Sequence, residues 1–353
     1  MPIITQLRLK ILLTLAIAFI LLQYTYVNFN EQNWFNSSIV TTVKKCHPST
    51  NPVPLIHLNV SGIEAMIYNK RQTTQTNEKQ FITLCPETPP DLNGTMRILV
   101  PAQETLEEVA QQLSWLKLLE GGHHEPLDCQ ARYKIAIIVP YRDRLSNLCT
   151  FLLNMHPFLT KQKLDYSIFI VEQFGDGLFN RAMLMNVGFN EALKLRDFDC
   201  FFFHDVDLIP ENDRNIYSCP DQPRHMSVAI DKFNYSLPFV DLFGGVIGMS
   251  RNHFELVNGF SNNYWGWGAE DDDMACRVRA HGLNITRYTP DVARYRMLSH
   301  VNQESNPSRF EILRSSRERF NTDGLNSLEY RVKSLLQLPL FTYILTELSG
   351  GCN

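Results

Sequence analysis

The sequence predicts an α/β fold, a Rossmann-like domain with a mostly parallel central sheet. Two observations predict it. Between residues 133 and 204, short apolar runs alternate with longer amphipathic ones, the pattern of strands joined by crossover helices. Just past the third run stand two carboxylates, Asp205 and Asp207. That is the strand end at which open α/β sheets bind ligands.

The elements follow in order. Glu104 to Leu119 has helical spacing, with Leu106, Val109, Ala110, Leu113, Leu116 and Leu118 apolar, and Gly121-Gly122 ends it. Tyr133 to Pro140 reads as a buried strand closed by proline, and Leu145 to Phe158 as a helix. Tyr166 to Val171 is a second strand. Asn180 to Leu195 is a helix with Ala182, Leu184, Val187 and Ala192 on its apolar repeat. The Phe-rich run before Asp205 is the third strand.

The ends of the chain read differently. Arg8 and Lys10 precede an apolar run, Ile11 to Leu22, that fades out by Val27. Residues 11–27 are expected to be an uncleaved membrane anchor, close to the lower length limit of about 17 residues. A cleaved signal peptide is the rival, but bulky Tyr24, Tyr26 and Phe29 stand where small residues are needed. The basic residues place a tail, 1–10, in the cytosol. Residues 28–84 are rich in Asn, Thr, Gln and Ser and read as a flexible stem, which leaves 85–353 as the catalytic domain. Sequons at Asn36, Asn59, Asn93, Asn234 and Asn284, with eight cysteines, suit an oxidising lumen. A formal net charge of −4 gives no electrostatic reason for nucleic acid as a partner.

Two motifs carry chemistry. Residues two apart on a strand share a face, so Asp205 and Asp207 would face one crevice. Paired oxygens there suit a hard divalent cation on a diphosphate. A solvated turn with an Asp cap is the plain alternative. Downstream, Trp265-Gly266-Trp267-Gly268-Ala269 leads into four acids, Glu270 to Asp273. Buried acids are costly unless they meet a cation or a substrate proton. Acids also favour a helix N-terminus. Both readings are expected to hold: a helix begins here and its first turn is reactive.

With these motifs, and with Phe179-Asn180-Arg181-Ala182, Phe243-Gly244-Gly245-Val246 and Arg296-Met297-Leu298-Ser299-His300 in order, the chain resembles the β-1,4-galactosyltransferase family. The resemblance runs from about Cys85 to Tyr343. It implies a glycosyltransferase domain of GT-A type in a type II Golgi membrane enzyme. Such an enzyme moves a hexose from a UDP-sugar to O4 of terminal N-acetylglucosamine, with inversion and with Mn2+. It pairs Cys85 with Cys129 and Cys200 with Cys219, and leaves Cys46, Cys149, Cys276 and Cys352 without an assigned bridge.

The same resemblance distributes roles. Asp207, Met297 and His300 match the metal ligands. On chemistry alone Met297 reads as a core methionine, since a thioether is soft for manganese. Asp271 occupies the position of the base, with Glu270 and Asp272 as acceptor contacts. Pro140, Tyr141, Arg142, Arg144, Phe179, Arg181, Asp205, Val206, Lys232 and Gly245 match donor contacts. Tyr141 replaces the family's phenylalanine, and Arg181 alone would read as a surface cation. Trp267 matches a hinge tryptophan on a mobile loop. Arg309, Phe310 and Leu313 match the acceptor's N-acetyl pocket, although the segment from His300 to Asn306 is three residues shorter than in vertebrate members.

Leu242 departs from the family. A tyrosine there suits a 2-hydroxyl on the donor, and leucine leaves room for an acetamido group. The expected donor is therefore UDP-GalNAc, and the expected activity a β-1,4-N-acetylgalactosaminyltransferase like those of invertebrates. UDP-Gal is the alternative, with Leu242 neutral. A non-catalytic lectin on the same fold is a third reading, opposed by intact Asp207, Asp271, Met297 and His300.

Overall fold

Ile135 to Tyr141 are buried on both faces, which makes this strand the centre of the sheet. The computed structural model describes residues 83–301 and 303–350. The expected tail, anchor and nearly all of the stem lie outside the described residues, as do Asn36, Asn59, Cys46 and Cys352. Among the described residues no helix is long and apolar enough to cross a membrane.

Eleven strands are described. They are β1 (Lys134–Tyr141), β2 (Asp165–Gln173), β3 (Cys200–His204), β4 (Leu208–Pro210), β5 (Arg224–His225) and β6 (Ala229–Ile230), then β7 (Val246–Ser250), β8 (Thr286–Arg287), β9 (Arg294–Met297), β10 (Tyr330–Gln337) and β11 (Thr342–Leu348). Eight form one sheet in the order β10-β11-β2-β1-β3-β7-β5-β8. β11, β2, β1 and β3 run parallel, whereas β10, β7 and β5 pair antiparallel to their inner neighbours. The sheet is thus mixed, with a parallel centre, rather than mostly parallel. The cause lies between β3 and β7. No α-helix intervenes there to carry the chain across, so it returns antiparallel.

Helices cover both faces of the parallel centre. α1 (Leu106–Gln112) and α2 (Leu145–Lys161) lie on one side. Leu148, Phe151, Leu152, Met155 and Phe158 of α2 pack with Ile135, Ile137 and Val139. α3 (Arg181–Leu195) covers the other face, where Leu184, Met185 and Val187 meet Ala136, Ile138, Phe201 and Phe203. Phe201, Phe202 and Phe203 are all fully buried, each worth about 1.5–3 kcal/mol on folding. α1 is shorter than its apolar spacing suggests. Thr105 caps it, accepting from Glu108 N at 3.3 Å. After Gln112 a 3-10 turn, Ser114–Leu116, and the left-handed Lys117 replace further helix. That turn buries Leu116 and leaves Trp115 exposed.

Both expected bridges, Cys85–Cys129 and Cys200–Cys219, are present, and Cys149 and Cys276 are free. Burial pushes the Cys149 thiol up to about 12. Asn93, Asn234 and Asn284 are exposed. From β1 the chain moves outward to β2 on one side, then returns to β3 on the other. A crevice therefore opens between the C-terminal ends of β1 and β3. A second sheet, β4-β9-β6, pairs Leu208 with Met297 and so brings residues 297–300 alongside Asp207.

Candidate active site

The crevice is a cavity of about 510 Å³. Pro140, Arg142 and Arg144 line it from the end of β1, and Asp205, Val206 and Asp207 from the end of β3. The two carboxylates share the cavity through a turn rather than through strand alternation: Leu208 N donates to Asp205 O, and Asp205 N to Gly245 O. Arg142 stacks on Phe179, 5.0 Å from guanidinium carbon to ring centre, and donates to Gly177 O at 2.7 Å. Tyr141 does not line the cavity. It shares the strand face of Ile137 and Val139, so its ring sits in the core. Its hydroxyl accepts from Arg144 N at 3.2 Å and shapes the turn from beneath.

Asn180 caps α3, accepting from Met183 N at 2.9 Å, and this sets Arg181 at the first helical position. Arg181 is no surface cation. Its Nε donates to Asp205 Oδ1 at 2.6 Å, and a terminal nitrogen reaches Asp271 Oδ1 at 2.7 Å and Glu270 Oε1 at 3.3 Å. Burial works against its charge, but Asp205, Asp271 and Glu270 outweigh burial and keep it firmly protonated.

Asp271 lies in the first turn of α5 (Glu270–Ala280), which follows α4 (Arg251–Leu256). The helix starts two residues before Asp272, from Ala269 in a left-handed conformation (φ 72°). The four acids then divide by direction. Glu270 and Asp271 face the cavity, and Asp272 lies outside its lining. Asp273 is fully buried, bonded to Arg277 Nε at 2.6 Å and accepting from the Tyr264 hydroxyl at 3.0 Å. It is a structural pillar. Asp271 is raised to about 7. Burial is the largest cause, Arg181 opposes it, and the crowding acids Glu270 and Asp205 add to it. A carboxylate poised there can take a proton near neutral pH. Gly244 packs against it, where a Cβ would come within 2.3 Å of Asp271 Oδ2.

Asp207, Met297 and His300 all line the cavity. His300 Nδ1 is 2.9 Å from Asp207 Oδ2, and Arg144 donates to that same oxygen at 2.7 Å. Asp231 Oδ1 accepts from Met297 N at 2.8 Å and fixes the strand. Burial raises the Asp207 carboxyl, and Asp205 adds to this, while Arg144 and His300 oppose it. A buried carboxylate beside an imidazole, already drawing in a cation, fits a divalent metal. A second cluster, His123, Glu125 and Asp165, offers ligand atoms within 4.8 Å of one another. There Arg196 forks onto Asp165 at 2.7 and 2.5 Å and also meets Glu125, so the carboxylates are already paired.

Leu242, Gly245, Lys232 and Trp267 line the cavity as expected. Trp267 is 58% exposed and bridges to the 304–306 segment, with its N–H on Glu304 O and its carbonyl taking Asn306 N–H. Arg309, Phe310 and Leu313 lie on α6 (Arg309–Arg314), outside the cavity lining. Arg309 lies over Trp267 and Phe310, at 6.0 and 4.4 Å, so this helix borders the cavity through the tryptophan. Leu208, Ile230, Phe233, Gly244, Gln303 and Ser305 line the cavity without having been expected from sequence. Phe233 adjoins Lys232 in the same 3-10 turn, a signal that was available.

Residues 85–220 match the N-terminal region of glycosyl transferase group 7, and residues 224–301 match the N-terminal domain of galactosyltransferase. Over 345 residues the chain is 40% identical to β-1,4-galactosyltransferase 4 of Mus musculus, covering 97% of this chain and 95% of that one. The chain belongs to the β-1,4-galactosyltransferase family. It is also 48% identical to β-1,4-galactosyltransferase 1 of Homo sapiens over 267 residues, 75% of this chain and 67% of that one. Among solved structures it resembles the catalytic domain of Drosophila β-1,4-galactosyltransferase 7 complexed with xylobiose. That match has 31% identity and a TM-score of 0.54, over 63% of this chain and 95% of that one. A mutant of the same Drosophila enzyme, complexed with manganese, UDP-Gal and xylobiose, matches equally well by TM-score. The fold is thus the GT-A-like one of this glycosyltransferase family, and the chain is a glycosyltransferase by family.

Proposed function

We propose that the chain is an inverting, manganese-dependent β-1,4-N-acetylgalactosaminyltransferase. It would move GalNAc from UDP-GalNAc to O4 of a terminal β-GlcNAc on a glycoprotein or glycolipid. It would work from the Golgi membrane as a single-pass type II protein, with its catalytic domain in the lumen. The observation that carries the reading is Asp271. It is a carboxylate raised to about 7, held by Arg181, in the cavity that also contains Asp207 and His300.

The residues divide the work. Asp271 accepts the proton of the acceptor O4 as that oxygen attacks C1 of the donor, and the C1–O bond to UDP breaks on the opposite side. Arg181 orients Asp271 and ties it to Asp205, so base and donor site hold one geometry. Arg142 and Arg144 meet the nucleotide and its phosphates with forked donors. Asp207, Met297 and His300 would hold manganese, which when bound neutralises charge on the departing diphosphate. Trp267 covers the donor and limits its reaction with water. Phe310 and Arg309 receive the acceptor's N-acetyl group at the rim.

Leu242 supports the acetamido donor, because an aliphatic wall accommodates a methyl that a tyrosine would crowd. One such change is worth about 1–3 kcal/mol of discrimination. A second reading keeps the reaction and moves galactose. The names of the relatives, galactosyltransferases at 40–48% identity, favour it. Initial rates with UDP-GalNAc and UDP-Gal on a GlcNAc acceptor, with and without manganese, decide between them. Faster turnover of UDP-Gal would overturn the acetamido reading, and no transfer of either sugar would overturn both.

A further inference from the structure

Residues 240–246 carry three duties before any regular strand begins at Val246. Leu242 walls the cavity, Gly244 packs on Asp271, and Gly245 O accepts from Asp205 N at 3.0 Å. Backbone carbonyls in such a segment need partners to keep one position. The partners come from β5 and β8, which lie side by side with His225 opposite Arg287. Arg287 donates from one terminal nitrogen to Val240 O and Leu242 O, both at 2.8 Å. Its Nε donates to His225 Nδ1 at 3.3 Å. Because Nδ1 accepts, Nε2 carries the imidazole proton, and it donates to Gly244 O at 3.0 Å. Ser227 Oγ shares that carbonyl at 3.0 Å and itself accepts from Val246 N at 2.9 Å. Arg287 thus spends its donors on carbonyls and an imidazole that all belong to this one segment or its support.

We infer that Arg287, acting through the carbonyls of Val240 and Leu242 and through His225, is the positioning residue that sets donor specificity. It fixes how far the Leu242 wall stands from the donor's 2-substituent, and it seats Gly244 against the base. A lysine cannot do this, since a point charge does not fork onto two carbonyls and a ring nitrogen together. The inference rests on the reading of Leu242 given under Proposed function.

The test is a cycle on the full chain: wild type, Arg287→Met, Leu242→Ala and the double variant. Each is assayed for kcat/KM with UDP-GalNAc and with UDP-Gal, and for melting temperature. Arg287→Met should change the ratio of the two kcat/KM values by about tenfold. That change should largely vanish when residue 242 is alanine, while the loss of melting temperature stays the same in both backgrounds. An unchanged ratio, or an equal change in both backgrounds, overturns the inference. Should Arg287→Met not fold, Arg287→Lys answers by the same ratio. Which donor the wild type prefers is read from the wild type alone. A failed donor reading therefore shows as a preference for UDP-Gal, and a failed inference as the absence of coupling.

Discussion

The floor and the rim of the cavity are built by different means. On the floor, Asp207 keeps 7% of its side-chain surface exposed, Asp271 27% and Arg181 17%. Each is tied to another charged group at 2.6–2.7 Å. These groups stand on strand ends and on the first turns of two helices, so their mutual geometry follows from the core. At the rim, Trp267 and Phe310 are 58% and 47% exposed, and they meet through Arg309 rather than through the core. The floor fixes at one distance the charges that the proposed reaction would use. The rim presents aromatic surface that a sugar ring can settle on and leave. A residue's exposure thus forecasts which kinetic constant its loss will change.

The contrast has measurable consequences. Asp271→Asn should lower kcat by about 10³-fold or more, while UDP binding with manganese persists, as equilibrium binding would show. Asp207→Ala should cost both, with the manganese dependence of UDP binding lost along with turnover. At the donor wall, Leu242→Tyr should shift the kcat/KM ratio toward UDP-Gal by about tenfold. On the rim, Phe310→Ala should raise the acceptor KM by roughly three- to tenfold and leave kcat nearly unchanged. If Phe310→Ala instead abolished kcat, the division between floor and rim would be wrong.

A stability effect comes from elsewhere in the core. Burial lowers His156 and His204 to about 4 and His225 to about 3. The unfolded chain takes up protons below about 6.5 that the folded chain refuses. These residues therefore contribute fully above pH 6.5, and their contribution is lost as pH falls toward 4. Melting temperature should drop over that window, and replacing one of these histidines by a neutral residue that still folds should flatten the drop.

Much of this was legible in the chain. The strand–helix alternation located β1, α2, β2, α3 and β3 to within a few residues, because both faces of a parallel strand are apolar. The two acids past β3 marked the crevice for the same reason. The antiparallel return through β7 was not legible, since pairing direction depends on what the intervening 41 residues fail to form. Tyr141 was expected at the donor, but its ring lies in the core on the strand face of Ile137 and Val139, a placement that its position next to Arg142 does not reveal. Among the four acids, spacing alone could not tell Asp273, which braces Arg277, from Asp271, which opens onto the cavity. The sequence shows the acids side by side, yet burial, which belongs to the fold, is the largest cause of the raised Asp271 carboxyl.

The most direct measurement is the pH dependence of kcat/KM, which reports the ionisation of groups in the free enzyme. As the proposed base, Asp271 would work as the ionised carboxylate, and its folded value is raised to about 7. The rate constant should therefore fall about tenfold for each pH unit below that value. A profile that stays flat from pH 8 down to pH 5 would contradict the assignment of Asp271 as the base.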